Sequence, residues 1–184
     1  MQSKITLTEQ FIIFDEIPSI LKDKLNLDRI QTNILQNYSD NKFQSDDVFN
    51  YHKDYVHVDD DQHLTWIIDY IRDHYRGEYM KTPVIKQRAA LVQNKGHTIN
   101  THHHIDEFDL WNSSDISCIY TLSDNEIPSD LIFEYDKGRE KHARYRIPLF
   151  HNRFVLFNSE LNHYLTPNKN DEPIVNLSFQ FQLL

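Results

Sequence analysis

The chain after residue 80 most constrains the fold, because short apolar runs follow one another there with no helical pattern between them. Alternation with a period of two predicts strands, and turn-rich pieces such as SDNEIPS and PNKNDEP separate these strands. Because no helical crossover connects them, the strands are expected to pair antiparallel. We therefore expect a mainly β fold with flanking helices, a barrel or jelly roll. The predicted strands are 84–93, 116–123, 131–136, 143–149, 153–159 and 174–184.

The chain before residue 80 has mostly helical periodicity. FIIF (11–14) has the composition of a short strand, whereas the apolar residues of 62–76 fall on one helical face. The acids Asp59 to Asp61 precede that helix, where its N-terminus favours negative charge. The length of 184 residues favours one domain over 1–184, with a helical support region (1–80) and a jelly-roll core (81–184).

Composition excludes several classes of function. Lys plus Arg number 19 against 28 Asp plus Glu, a formal charge of -9, and no basic run predicts nucleic-acid binding. No apolar run is long enough to predict a membrane span, and the N-terminus lacks the apolar core of a signal peptide. The single cysteine, Cys118, cannot form an intrachain disulfide. We expect a cytoplasmic protein with no nucleic-acid or membrane partner.

The segment HHHIDEFD contains a candidate metal site. His104 and Asp106 are two residues apart, so in extended backbone both side chains project to the same side. A second histidine, His163, follows the predicted strand 153–159. Two histidines and one carboxylate on one face of a metal, with the other positions open, are typical of non-haem Fe(II) oxygenases. The predicted metal ligands are therefore His104, Asp106 and His163.

A second His-x-Asp sequence, His57-Val58-Asp59, runs directly into the helix predicted over 62–76. Its acids are better explained as residues of the helix start than as metal ligands. We predict that this copy has a structural role.

The region from about 84 to 184 resembles the prolyl-hydroxylase-like branch of the 2-oxoglutarate/Fe(II) dioxygenases. There, His-x-Asp precedes a strand of the type ISCIYTLS, and RFVLFNSELNHYLTPN is similar to the second half, in which Pro167 follows His163. The resemblance implies a double-stranded β-helix in which His104, Asp106 and His163 bind Fe(II). It also implies 2-oxoglutarate as co-substrate and hydroxylation as the reaction.

His102 offers an alternative to Asp106, since His102-x-His104 has the same spacing. A His102/His104/His163 set would resemble a cupin-like centre, with Glu107 or Asp109 as a possible fourth ligand. We favour Asp106 because its distance from ISCIYTLS matches the prolyl-hydroxylase-like spacing.

The last strand departs from the family pattern. The family places Arg or Lys there to pair with the far carboxylate of 2-oxoglutarate, but the matching position here is Pro173 or Ile174. The anchor then comes from another strand, the co-substrate differs, or the site is not catalytic. Cofactor-binding candidates are, first, Arg153 and Arg146, then Arg144, Lys86 and Arg88, with Asn176 and Ser178 as neutral donors and Tyr120 as a residue that faces the site or packs.

The sequence therefore predicts a non-haem Fe(II), 2-oxoglutarate-dependent oxygenase acting on a small-molecule or peptide substrate. One alternative is a cupin-like divalent-metal protein, an isomerase or a dioxygenase that does not use 2-oxoglutarate. Another is a non-catalytic relic that kept the barrel. The sequence carries no code for the substrate or the oligomeric state.

Overall fold

The computed structural model describes residues 10–40, 55–56, 58, 61–105, 108–137 and 140–184. Strands dominate, and they form one six-stranded and one four-stranded sheet in which the paired strands are antiparallel. In chain order the elements are β1 (Ile12–Glu16), α1 (Ser19–Lys22), α2 (Leu27–Asp40), β2 (Tyr55–Val56), α3 (Gln62–Tyr79), β3 (Pro83–Gln93), β4 (Ile99–His102), a 3-10 turn (Leu110–Asn112), β5 (Ile116–Thr121), β6 (Asp130–Lys137), β7 (Glu140–Pro148), β8 (Arg153–Asn158), β9 (Asn162–Leu165) and β10 (Ile174–Leu183).

The large sheet has the strand order β1-β8-β5-β10-β3-β2, and the small sheet has the order β4-β9-β6-β7. From β3 to β10 the chain passes back and forth between two facing sheets, with the consecutive strands β6 and β7 paired in the small sheet, which is the arrangement of a double-stranded β-helix. The predicted fold class is confirmed. All six predicted strands are present, as is the short strand near FIIF.

Helix α3 covers one face of the large sheet. Asp61 is its N-cap and accepts a hydrogen bond from the backbone N–H of His63 (2.7 Å), as the acids before this helix predicted. Its buried side chains are Leu64, Ile67, Ile68, Ile71 and Tyr75, and burying each large apolar side chain contributes about 1.5–3 kcal/mol. His57 and Asp59 lie outside the described residues.

Each strand of the large sheet has an outer face toward the helices and an inner face toward the small sheet. On β5 and β10, Cys118, Tyr120, Leu177 and Phe179 pack with the helices in one apolar cluster. The inner face contributes to a second cluster shared with the small sheet, which includes Ile119, Leu131, Phe133, Val155 and Phe157. The barrel interior is therefore separate from the helix-covered core.

Strand β10 is the central strand of this arrangement, with β5 on one side and β3 on the other. Val175, Leu177 and Phe179 alternate along it with Asn176 and Ser178. Asn176 and Ser178 are buried inside the barrel, so these predicted neutral donors do not lie on a solvent-facing side. Alternating polarity marks a wet face only where that face is uncovered.

Three strands escaped prediction because they are only two to four residues long: β2, β4 and β9. Strands β1 and β2 also join the large sheet although they precede residue 80. The division into a helical support region and a jelly-roll core within one domain stays a prediction.

Candidate metal centre

Three histidines meet at the end of the barrel. His102 ends β4 and pairs in register with His163 on β9, and His104 follows two residues later. One ring nitrogen from each lies within 4.8 Å of the others. The ring centroids of His102 and His163 are 4.3 Å apart, and each is 5.0 Å from that of His104. This spacing allows all three rings to bind one ion.

Backbone carbonyl groups orient two of the rings. His163 Nδ1–H donates to the Leu161 carbonyl oxygen (2.8 Å), and His102 Nδ1–H donates to the Asn100 carbonyl oxygen (2.8 Å). A proton on Nδ1 leaves the lone pair on Nε2, which is the tautomer a metal requires there. The Nε2 atoms of both rings are buried. Such fixed tautomers are common among metal-binding histidines.

His104 is positioned by two other elements. Its backbone N–H donates to the Ser159 carbonyl oxygen (2.8 Å), which ties it to the turn between β8 and β9. Its Nδ1 accepts from the Gln180 amide on β10 (3.0 Å), and Ser114 donates to the oxygen of that amide (2.7 Å). The histidine is thus connected to both sheets.

Aromatic side chains close the inner side of the centre. The rings of Phe157 and Phe133 lie 4.6 and 6.0 Å from that of His163, and His163 is only 1% exposed. His102 and His104 are half-buried. The centre therefore has an apolar floor and a more open side, which suits a site that binds a small ligand next to a metal.

Of the candidate carboxylate ligands, Asp109 is the one that lies among the described residues. The structure brings together two of the three predicted ligands, His104 and His163, and adds His102. Asp106 and Glu107 lie outside the described residues, so Asp106 stays a predicted ligand. Asp109 instead caps the 3-10 turn, where it accepts from the Asn112 backbone N–H and side-chain amide.

Two candidate anchor arginines lie far from the barrel interior. Arg144 and Arg146 project outward from β7, where their side chains are 63% and 71% exposed. They form ion pairs with Glu134 and Asp130 on β6. The structure does not bring these two arginines together with the histidines.

The remaining candidate cations are exposed, lie on the outer face of the large sheet, or already have hydrogen-bond partners. Lys86 is exposed, and Arg88 pairs in register with Phe179, whose side chain is on the outer face. Arg153 lies on the inner face by alternation. Its two terminal nitrogens donate to the Pro148 carbonyl oxygen (3.1 Å) and to Glu16 Oε1 (3.0 Å), while its buried Nε has no partner among the described residues.

Tyr120 and Asn176 have opposite placements. Tyr120 packs on the outer face, and its hydroxyl donates to Asn152 Oδ1 (2.9 Å). Burial raises the pKa of this hydroxyl well above its usual range. Asn176, in contrast, is 1% exposed on the inner face. Only Asn176 of this pair is placed to meet a ligand inside the barrel.

Sequence reasoning counted Gln180 among the neutral polar residues of the last strand but did not assign it a contact with His104. Ser114 was missed and gave no signal, because its role depends on a hydrogen bond to Gln180, which is far away in the sequence.

The residues of the cluster fit a divalent transition metal. Imidazole nitrogen is a ligand for Fe, Zn, Cu and Ni. Two of the three rings have the required tautomer fixed, and the half-buried side leaves coordination positions for a ligand. No Cys of the described chain joins this cluster, since Cys118 is buried on the outer face.

Comparison with known structures identifies the same architecture in non-haem oxygenases. A prolyl-4-hydroxylase of Pseudomonas putida superposes with a TM-score of 0.60 at 10% identity, over 93% of this chain and 84% of the other. The alpha-ketoglutarate-dependent carbocyclase SnoK of nogalamycin biosynthesis gives 0.62 at 10% identity, over 94% and 79%. A Trichoplax adhaerens prolyl hydroxylase, in complex with a hypoxia-inducible-factor peptide fragment, gives 0.58 at 15% identity, over 94% and 83%.

At these identities the likeness establishes a shared fold, the double-stranded β-helix of the 2-oxoglutarate/Fe(II) oxygenases, as the sequence resemblance predicted. No protein-family model matches the chain, and no curated protein matches it in sequence. In the described part of the chain, no helix has the length and apolar character needed to cross a membrane.

Proposed function

We propose that the protein is a non-haem Fe(II) oxygenase that uses a 2-oxo acid as co-substrate, and 2-oxoglutarate, which the sequence resemblance implies, is the first such acid to test. The observation that carries the proposal is the convergence of His102, His104 and His163 at the end of this barrel. The fold shared with several such oxygenases supports the same reaction class.

The third metal ligand has two candidates. The sequence resemblance favours Asp106, which with His104 and His163 makes two histidines and one carboxylate. The described geometry favours His102, which lies within reach of the same ion. A three-histidine centre is the specific support for the second candidate function, a cupin-like metal protein that does not use 2-oxoglutarate.

The bound iron would supply the redox chemistry, while the chain orients its ligands and limits access of water. Carbonyl oxygens of Leu161 and Asn100 fix two rings, and Phe133 and Phe157 exclude water from the inner side. The substrate would approach from the half-buried side of His102 and His104. The peptide bound to the Trichoplax adhaerens hydroxylase supports a peptide as one substrate class, with small molecules as the other.

The test is release of carbon dioxide and succinate from 2-oxoglutarate, with purified protein, Fe(II) and dioxygen. We expect turnover that requires Fe(II) and disappears in His163→Ala, with His74→Ala as a matched control outside the cluster. Fe(II) binding with no consumption of any 2-oxo acid would contradict the oxygenase proposal and favour the cupin-like alternative. Absence of metal binding would contradict both.

A further inference from the structure

Three side chains on the inner face of the large sheet have buried polar atoms without a hydrogen-bond partner among the described residues: Asn176, Thr121 and, at its Nε, Arg153. Asn176 and Thr121 are each 1% exposed. Neither the Asn176 amide nitrogen and oxygen nor the Thr121 hydroxyl has a hydrogen-bond partner within the described residues. Leaving a buried polar group unpaired costs about 1–3 kcal/mol. Three such atoms at one place indicate a group that arrives from outside the chain.

The side chains of Asn176 and Thr121 lie side by side. Asn176 on β10 pairs in register with Thr121 on β5. Both residues alternate with Leu177 and Tyr120, whose side chains belong to the outer cluster, so both project into the barrel. Directly opposite neighbours on one face have Cβ atoms about 5 Å apart, which is close enough for one ligand group to contact both.

This pair lies on the same strand face as the metal-centre residue Gln180. Asn176 precedes Gln180 by four residues, which is about 13 Å along a strand. Gln180 contacts His104. The Gln180 and Asn176 side chains and a bound metal would cover part of this separation, so a ligand held between the histidines and Asn176 is a small molecule of a few carbon atoms along the inner face of β10, rather than a single ion.

The chemistry of the pair favours an uncharged ligand end. The amide of Asn176 offers a donor and an acceptor, and the Thr121 hydroxyl can act as either. A carboxylate would satisfy the donor but would place a second negative oxygen near the amide oxygen. A primary amide satisfies both atoms of Asn176 at once.

The charges around the pair lead to the same conclusion. A buried carboxylate without a cation is costly. Of the described arginines considered as anchors, Arg144 and Arg146 project outward. Arg153, on the neighbouring strand β8, already donates to Glu16 and to the carbonyl oxygen of Pro148. A ligand carboxylate would have to share this guanidinium with Glu16, whereas the buried Arg153 Nε–H, which has no partner among the described residues, can donate to a neutral carbonyl oxygen.

We propose that Thr121 and Asn176 form a subsite for the neutral, hydrogen-bonding end of a 2-oxo acid, a terminal amide above all. The identity of the ligand as a 2-oxo acid rests on the proposed function. The subsite takes the place of the charged anchor that the last strand lacks, and it selects against 2-oxoglutarate in favour of its amide, 2-oxoglutaramate.

The experiment compares the binding of these two acids to the Fe(II)-loaded protein under anaerobic conditions, by calorimetry. We expect 2-oxoglutaramate to bind roughly tenfold more tightly or better, the loss expected when one buried polar group is left unpaired. Asn176→Leu should abolish this preference, and Thr121→Val, which keeps the side-chain shape, should reduce it. Asn162→Leu, at an exposed asparagine of β9, should leave it unchanged.

Equal binding of both acids, or tighter binding of 2-oxoglutarate, would overturn the proposed subsite while leaving the metal centre intact. Failure of both acids to bind the metal-loaded protein would also overturn it. Failure of the protein to bind Fe(II) would instead refute the proposed function. The comparison within the wild-type protein needs no variant, so a misfolded Asn176→Leu protein does not prevent the test.

Discussion

The two faces of the large sheet differ in how completely the chain satisfies its own polar atoms. On the outer face, the Tyr120 hydroxyl donates to Asn152, and Asn152 in turn donates to the Ile17 carbonyl oxygen (2.7 Å). On the inner face, Asn176 and Thr121 have no partner among the described residues. The polar side chains named on the outer face are thus paired within the chain, whereas those on the inner face lack a partner among the described residues.

This difference separates the residues that stabilise the fold from those that serve function. Neighbouring positions of one strand fall into opposite groups: Tyr120 packs against the helices, while Thr121 faces the barrel. Burial raises the pKa of Cys118 well above its usual range, so this outer-face thiol stays protonated and inert. Substitutions on the outer face should change stability, and substitutions on the inner face should change binding.

The largest effect on the inner face is expected for His163→Ala. His163 is the most buried of the three histidines and belongs to both candidate ligand sets. We expect Fe(II) affinity to fall by more than the roughly 10–100-fold that is typical of residues that only support a ligand. Metal content after dialysis and calorimetric titration measure the change. Equal metal binding by this variant and the wild type would refute the centre.

The comparison of Asp106→Ala with His102→Ala sharpens the ligand assignment. If Asp106 completes the site, its loss should weaken Fe(II) binding by roughly 100-fold or more, while loss of His102 should cost no more than roughly tenfold, as for a supporting group. The reverse order would assign His102 as the ligand and favour a cupin-like centre. Co(II) absorption spectra of both variants report the ligand number independently.

Gln180→Leu should have an intermediate effect. When His104 binds a metal through Nε2, its Nδ1 carries a proton and needs an acceptor. The Gln180 amide can supply its oxygen by turning over, because the Ser114 hydroxyl can accept as well as donate. We expect metal affinity to fall roughly 10–100-fold in Gln180→Leu. Gln180→Glu keeps a hydrogen-bond acceptor and should therefore retain the metal affinity of the wild type. Unchanged metal affinity in Gln180→Leu would show that Gln180 does not position His104.

The sequence predicted the architecture well because strand periodicity and turn residues are local signals. It also selected two histidines of the cluster, since His104 and His163 follow strand patterns at recognisable spacing. It did not connect Gln180 to His104 or place Thr121 beside Asn176, because these relations arise from a tertiary contact and from the register of β10 against β5. It named Asn176 and Ser178 as neutral donors but left a solvent-facing side of β10 open, because one strand cannot reveal that a second sheet covers it.

Tyr120→Phe should separate the outer face from binding. The change removes the hydroxyl that donates to Asn152 Oδ1 and leaves that oxygen buried. We expect the free energy of unfolding to fall by about 1–3 kcal/mol, while Fe(II) affinity and the preference between the two 2-oxo acids stay unchanged. Denaturant unfolding and calorimetry measure the two effects. A change in ligand preference without a change in stability would contradict the division between the two faces.

The smallest effect is expected for Arg146→Ala. Arg146 was a leading candidate for the co-substrate anchor because its strand was expected to approach the side of the barrel that holds His163. Its side chain projects to the exposed surface of the small sheet and pairs with Asp130, and the Asp130 hydrogen bond raises its pKa. Long-range attraction from an exposed charge is screened beyond about 8–10 Å at physiological salt. The variant should therefore bind both 2-oxo acids as the wild type does. Binding of both acids should also be measured for Arg153→Ala, because Arg153 lies on the inner face, one strand from Thr121. A loss of 2-oxoglutarate binding in Arg146→Ala alone would mean that the outer surface, rather than the inner face of β10, supplies the anchor.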